Sequence, residues 1–254
     1  MWWYLGLPLL LVAAPFVLGP VLVKFTQRIP AEPEFAELDP EESLPPEVYE
    51  LFSQSVLGLS ADGFEVMGFL SPVNPLPGQT QFLCLLVQRE RRDLAMAAAI
   101  FQGAVSAQTL QALFVEFFTP FEGGAQALLT NNTATILPFE PIPGRRVETF
   151  VSERDPRRLY RIHRALLESY AHPAPKPEPA PGSQAQLVIA SMQREYEAQV
   201  GTGYLRRAED GSAYLPTWKG ACLMTWKLCW PASAWLRRRR EARAEALLAG
   251  LRLS

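Results

Sequence analysis

Tryptophan is confined to the two ends of this chain. Trp2 and Trp3 lie in an apolar run at the N-terminus, and the other four tryptophans lie between Trp218 and Trp235. An indole ring combines a large apolar body with a polar N–H, so tryptophan concentrates at interfaces and at the headgroup level of membranes. The distribution predicts a folded domain that is held against a bilayer at both ends.

The N-terminal apolar run has the length of a membrane-spanning helix. Residues 2–23 contain no charged side chain, and about 20 apolar residues suffice to cross the hydrocarbon core as a helix. A cleaved signal peptide is the alternative, but no basic residue precedes the run and Pro15 directly follows the small pair Ala13-Ala14. Residues 1–28 are therefore predicted to be a transmembrane anchor.

The charges that flank this run predict its orientation. Lys24 and Arg28 follow the apolar residues, whereas no Lys or Arg precedes them. Because basic residues stay on the cytoplasmic side, the main domain is expected in the cytoplasm, attached to the cell (inner) membrane by a single span. The preference of this chain for Arg over Lys is typical of a GC-rich, bacterial genome.

Composition argues against several classes of function. The net charge of −2 does not suit a protein that binds nucleic acid over its surface, so no nucleic acid is expected as a partner. Two histidines and three cysteines without zinc or disulfide spacing predict neither a metal nor a cofactor. Cys222 and Cys229 are interpreted as buried thiols, with acylation as the alternative.

An α+β domain is predicted between the two ends. Residues 29–42 are acidic and rich in proline, which indicates an extended stalk. Packed structure is expected over residues 43–171, beginning with a short amphipathic helix. Short connections then predict an antiparallel sheet of about five strands, covered on both faces where the strands are continuously apolar. These strands are 64–70, 81–88, 94–102, 110–118 and 125–130, of which 94–99 also suits a helix because of its alanines.

A helix with one apolar and one basic face is predicted to start at Asp155-Pro156. Its apolar stripe includes His163 and should pack on the sheet. The opposite face could dock phosphate-bearing partners or lipid, although a solvated helix face is the favoured interpretation. This basic face consists of Arg157, Arg158, Arg161 and Arg164. The proline-rich residues 172–182 are predicted to be a linker.

Residues 183–254 are predicted to be a helical region that contains a membrane-interfacial segment at 217–243. An amphipathic helix should follow Ser183, and Asp210-Gly211 indicates a β-hairpin. For residues 218–236 three interpretations stay open: an in-plane interfacial helix, a part of the core, and a second span. The first is favoured because Lys219 and Lys227 disfavour a crossing. The candidate interface residues are Trp218, Lys219, Trp226, Lys227, Trp230, Trp235, Arg237, Arg238, Arg239 and Arg240.

No sequence motif indicates a reaction. His163 is the nearest candidate for acid–base chemistry, but its place in an apolar stripe favours a satisfied core histidine. Glu116 is interpreted as an outward-facing strand residue rather than a buried carboxylate with a raised pKa. We therefore expect a non-enzymatic, membrane-anchored scaffold or accessory module that binds an anionic lipid surface and a protein partner at the bilayer. The alternative is an enzyme for a membrane-proximal substrate, with its site in a pocket of the antiparallel sheet.

Overall fold

The computed structural model of the protein describes residues 3–75, 78–103, 109–121, 127–169 and 184–251, with side chains from residue 14 onward. It shows an α+β fold that divides into two compact units. Unit 1 consists of Met1–Glu32, Thr135–Ile142 and Ala190–Arg239, and unit 2 consists of Pro33–Ala134, Pro143–Ile189 and Arg240–Ser254. These discontinuous units differ from the consecutive domains expected from the sequence. The predicted linker at 172–182 lies outside the described residues.

The described residues form six helices and ten strands. The helices are α1 (Trp3–Thr26), α2 (Pro46–Ser60), α3 (Pro156–Ser169), α4 (Gln184–Gly201), α5 (Trp218–Leu228) and α6 (Ala232–Gly250). The strands are β1 (Ile29–Pro30), β2 (Phe35–Leu38), β3 (Phe64–Pro72), β4 (Gln79–Gln88), β5 (Asp93–Gln102), β6 (Thr109–Pro120), β7 (Ala127–Asn131), β8 (Arg145–Thr149), β9 (Leu205–Arg207) and β10 (Ala213–Pro216).

Unit 2 is built on a seven-stranded sheet in the order β2-β3-β4-β5-β6-β7-β8. All five predicted strands are present, and the alanine-rich β5 pairs along its whole length with β4. The prediction of a purely antiparallel sheet is wrong, because β8 pairs parallel to β7. β8 reads Arg-Arg-Val-Glu-Thr, which lacks the apolar alternation that marks a strand in a sequence.

Helices cover one face of this sheet. α2 begins with Pro46 in its first turn and buries Val48, Phe52 and Leu59, a spacing that places them on one side of a helix. α3 begins where the Asp155 carboxylate accepts a hydrogen bond of 3.0 Å from the Arg157 amide. The C-terminal residues of α6 join the same core through the buried Ala244.

The opposite face of the sheet has a smaller core. Leu70, Leu83 and Leu85 are buried there beneath Ala185 and Val188 at the start of α4. This cluster confirms the expectation that the strands are covered on both faces. The predicted stalk at 29–42 is not a free spacer, because β2 lies within it and pairs with β3 at the edge of the sheet.

Unit 1 combines helices with a small three-stranded sheet in the order β1-β10-β9. The predicted hairpin is confirmed: β9 and β10 pair antiparallel, and Gly211 in their turn has a φ of +71°, which favours glycine. The core of the unit consists of Phe139, Leu205, Tyr214 and Met224.

The helix α1 forms at the predicted N-terminal anchor. Within the part of the chain that the structure describes, no helix meets the length and hydropathy that a membrane crossing requires. The predicted transmembrane span is therefore unsupported by the fold.

Candidate interaction surface

Large apolar side chains are exposed together on unit 1. The exposed fractions are 73% for Phe25, 53% for Trp218, 43% for Trp226, 69% for Trp230 and 51% for Trp235. We call these five residues the aromatic surface. Single exposed apolar residues are normal, but contiguous ones mark binding sites for proteins or membranes.

The spacing of residues on α5 explains why its tryptophans face outward. Trp218, Cys222 and Trp226 follow one another at four-residue intervals on one exposed side of the helix. Gly220 lies on the buried side, where a Cβ atom would come within 2.1 Å of the Tyr204 carbonyl oxygen. Only glycine permits this close approach, so the packing of α5 determines which face remains exposed.

Ring contacts join the aromatic surface across three helices. The rings of Phe25 and Trp218 meet edge to face at 5.9 Å, which links α1 to α5. The rings of Trp226 and Trp235 lie 6.4 Å apart, which links α5 to α6. α1 extends the surface with Leu18 and Leu22, which are 59% and 61% exposed. These contacts connect the exposed side of α5 to α1 at one end and to the start of α6 at the other.

The predicted lysines of the interface are engaged within unit 1. Lys219 donates a hydrogen bond of 2.9 Å to the Thr202 carbonyl oxygen, and its ammonium lies 4.4 Å from the centre of the Tyr204 ring. Lys227 is buried, and its Nζ atom lies 2.7 Å from the Glu140 carboxylate. Lys227 therefore does not contribute to the exposed surface.

The arginine run after Trp235 divides between the two units. Arg237, Arg238 and Arg239 are exposed on unit 1, and the Arg239 guanidinium lies 5.3 Å from the centre of the Trp235 ring. Arg240 belongs to unit 2. These are the cations closest in sequence to the aromatic surface.

Farther along α6, an arginine has a structural role in unit 2. Arg243 donates hydrogen bonds of 2.8 and 2.7 Å to both carboxylate oxygens of Glu148, which also accepts one from Arg146. Burial opposes the charge of Glu148, but these hydrogen bonds outweigh it and lower the pKa of the carboxyl group. Arg243 therefore ties the end of α6 to β8.

The basic face of α3 is largely paired. Arg157 and Asp62 approach to 2.9 Å, Arg158 lies 3.2 Å from Glu153, and Arg164 lies 3.2 Å from the buried Asp93. Arg161 is exposed. Because three of its four arginines already contact carboxylates, this face has little free charge for a phosphate ligand.

His163 belongs to a chain of buried polar groups between α3 and the sheet. The Thr119 hydroxyl donates a hydrogen bond of 2.6 Å to Asp93, which leaves its oxygen to accept from Nε2 of His163 at 2.8 Å. Nδ1 of the imidazole can then accept from the Thr130 hydroxyl at 2.9 Å. This pattern requires a neutral ring with its proton on Nε2.

Burial keeps this imidazole neutral. Desolvation lowers the pKa of His163 to about 4, and the nearby Arg164 acts in the same direction against the attraction of Asp93. The same Asp93 accepts a hydrogen bond of 2.8 Å from the Tyr160 hydroxyl. Each group of the chain has partners inside the protein, so the arrangement is that of a satisfied core histidine.

Glu116 and His163 do not meet. Side chains alternate along β6, so Glu116 lies on the face opposite to Thr119, the partner of His163. Glu116 is half-buried and accepts a hydrogen bond of 3.2 Å from Asn131. An acid–base pair of these two residues is therefore not formed.

Several of these residues have no clear signal in the sequence. The predicted anchor includes Leu18, Leu22 and Phe25. Leu22 and Phe25 follow Leu18 by four and seven positions, and this spacing is the only sign in the sequence that the three share a helix face. No sequence pattern around Asp93 predicts that it lies near His163. Cys222 is exposed, so its interpretation as a buried thiol is wrong, because α5 turns that side outward.

Comparison with known proteins identifies no relative from which a role could be transferred. No protein-family model, curated protein or solved structure matches this chain.

Proposed function

We propose that the protein is a non-enzymatic, membrane-anchored module that binds its partner through the aromatic surface of unit 1. The observation that carries the proposal is the exposure of four tryptophans and Phe25 on unit 1, with ring contacts that link α1 to α5 and α5 to α6. Burying an aromatic side chain that is half or more exposed contributes about 2 to 4 kcal/mol at 25 cal/mol per Å². Exposed apolar surfaces of this kind mark sites where proteins or membranes bind.

The sequence supports the membrane attachment. Residues 2–23 carry no charge, and Lys24 and Arg28 follow them. In this proposal the apolar run holds the protein in the bilayer as a single span, and the two basic residues keep the folded units on the cytoplasmic side of the cell membrane.

The polar groups of unit 2 support a binding module over an enzyme. A general acid or base must reach its substrate, whereas His163 is wholly buried and bonded to two threonines. His163 and Glu116, the two residues considered for acid–base chemistry, do not converge, since they lie on opposite faces of the sheet.

Membrane fractionation of cells that produce the full chain tests the attachment. The protein should stay with the membranes after washes at high salt and at alkaline pH. Leu9→Arg/Val12→Arg should release it, because charged side chains within the hydrocarbon core are costly. The matched control is Leu57→Arg/Val73→Arg, which adds the same charges at exposed apolar positions of unit 2 and should not change the fractionation.

The proposal is refuted if the wild-type chain is found in the soluble fraction, or if both double variants behave alike. Protease treatment of spheroplasts tests the side of the membrane. The folded units should be cut only after the membrane is opened.

A further inference from the structure

We propose that the partner of the aromatic surface is the headgroup region of an anionic bilayer, with Arg238 and Arg239 as the contacts to lipid phosphate. The inference rests on the proposed function, because the N-terminal attachment brings unit 1 to the membrane. Attachment through the N-terminal segment does not by itself determine what the aromatic surface binds, and anionic lipid is the binding partner inferred here.

The residues of the aromatic surface are of the types that proteins place at the headgroup level of a membrane. Indole rings prefer this depth, where the ring contacts acyl chains and the N–H contacts water or headgroups. Four of the five rings in the aromatic surface are indoles, and leucines of α1 lie beside them. Amphipathic structures of this kind bury their apolar side at the boundary between headgroups and acyl chains.

Charge complementarity indicates that the lipid is anionic. The chain has 26 acidic residues, yet none of them lies in residues 3–26 or 217–240, which contain the whole surface. The charged side chains of these two segments are all basic. In a protein with a net charge of −2, the two segments that provide the aromatic surface thus carry no negative charge of their own.

Helix geometry identifies the arginines that share this surface. Arg238 and Arg239 follow Trp235 by three and four positions, so they lie on the same side of α6 as this tryptophan. Arg237 is two positions after Trp235 and lies on the other side. Because the Arg239 guanidinium lies over the Trp235 ring at 5.3 Å from its centre, it is placed beside the indole, where it can donate two parallel hydrogen bonds to a phosphate.

Both lysines of the predicted interface have partners in the protein. Lys219 is bonded to the Thr202 carbonyl oxygen, and Lys227 is paired with Glu140. Removing Arg238 and Arg239 should therefore abolish most of the preference for anionic lipid. Two basic residues near such a surface correspond to a change of about 30-fold in the docking equilibrium.

The test uses the full chain with Trp2→Phe and Trp3→Phe, so that fluorescence reports only the four C-terminal tryptophans. The protein is reconstituted in phosphatidylcholine vesicles with increasing phosphatidylglycerol, and lipids brominated on the acyl chains serve as quenchers. Tryptophan emission should be quenched and blue-shifted as the anionic fraction rises. Arg238→Gln/Arg239→Gln should shift the half-point of quenching to a higher anionic fraction.

The matched control is Arg206→Gln/Arg237→Gln, which removes two exposed arginines of the same unit and should leave the half-point unchanged. Equal shifts for both double variants would overturn the assignment to Arg238 and Arg239, because net charge would then explain the effect. Protein that stays in the vesicles without tryptophan quenching would overturn lipid docking, which leaves a protein or a second copy as the partner. Protein that does not enter the vesicles at all would instead refute the proposed function.

Discussion

The buried imidazole of His163 should make the stability of unit 2 depend on pH. Its pKa is about 4 in the folded protein and about 6.5 in an unfolded chain. Between these values the unfolded state binds a proton that the folded state excludes, so acid favours unfolding. The contribution is fully present above about pH 6.5 and is lost as the pH falls towards about 4.

The difference between the two pKa values determines the size of the effect. Each pKa unit corresponds to about 1.4 kcal/mol, so His163 should remove about 3 kcal/mol of unfolding free energy once both states are protonated. At about pH 5 the unfolded state is almost fully protonated and the folded state is not, which corresponds to a loss of about 2 kcal/mol.

Urea unfolding at about pH 7.5 and about pH 5 measures this loss, with the variant His163→Gln as the control. Far-UV circular dichroism follows the secondary structure of both units, whereas tryptophan fluorescence follows unit 1 alone, because unit 2 contains no tryptophan. Wild-type protein should lose about 2 kcal/mol more than His163→Gln between the two pH values. The carboxylates and the second histidine titrate in both proteins, so their effects cancel in the difference.

The glutamine side chain cannot bond both threonines, so the variant should also be less stable at every pH, and the subtraction removes that constant term. Equal acid losses in the two proteins would refute the assignment of a neutral, buried imidazole. Nuclear magnetic resonance of the wild-type histidine ring protons provides an independent check. A His163 signal that titrates near pH 6.5 would contradict the chain of hydrogen bonds through Thr119 and Thr130.

Three further changes test the packing of the two units. Gly220→Ala should destabilise unit 1 by about 1 to 3 kcal/mol, because the added Cβ atom would overlap the Tyr204 carbonyl. Urea unfolding followed by tryptophan fluorescence measures this loss. The control Gly201→Ala has open space around it and should not destabilise the unit. Arg243→Gln should lower the unfolding free energy of unit 2 by about 1 to 2 kcal/mol, because its hydrogen bonds to Glu148 are lost. Arg238→Gln, which changes an exposed arginine, is the control. An equal loss in both variants would contradict the stabilising role of Arg243. Ellman's reagent should react with the exposed Cys222 in the native protein but with Cys84 only after denaturation, because burial raises the pKa of the Cys84 thiol to about 12. In the variant Cys222→Ser/Cys229→Ser, Cys84 is the only cysteine left. Fast labelling of this native variant would contradict the burial of Cys84.

Local patterns in the sequence determined the main elements of the fold. The five central strands have runs of apolar residues between turn residues, and β3 to β7 form where those runs occur. Asp155 begins α3, and Asp210-Gly211 joins β9 to β10. Each of these signals acts within a few residues, so it can be recognised without knowledge of distant contacts.

Tertiary contacts decided the pairing of the short, polar strands. β2 lies in an acidic run and β8 in a charged one, and neither has a local pattern of a strand. They form because β3 and β7 provide unpaired backbone groups at their edges. The parallel pairing of β8 also depends on the path of residues 132–144, which no local pattern specifies.

The candidate surface shows the same division between local and distant information. The four C-terminal tryptophans and the arginines after them are evident in the sequence, because composition alone reveals them. Which of these side chains stay exposed depends on distant partners: Tyr204 lies against Gly220, Glu140 pairs with Lys227, and Glu148 binds Arg243. The sequence by itself therefore determined the chemistry of the surface, and only the tertiary structure decided its members, because burial and ion pairing depend on contacts between residues far apart in the chain.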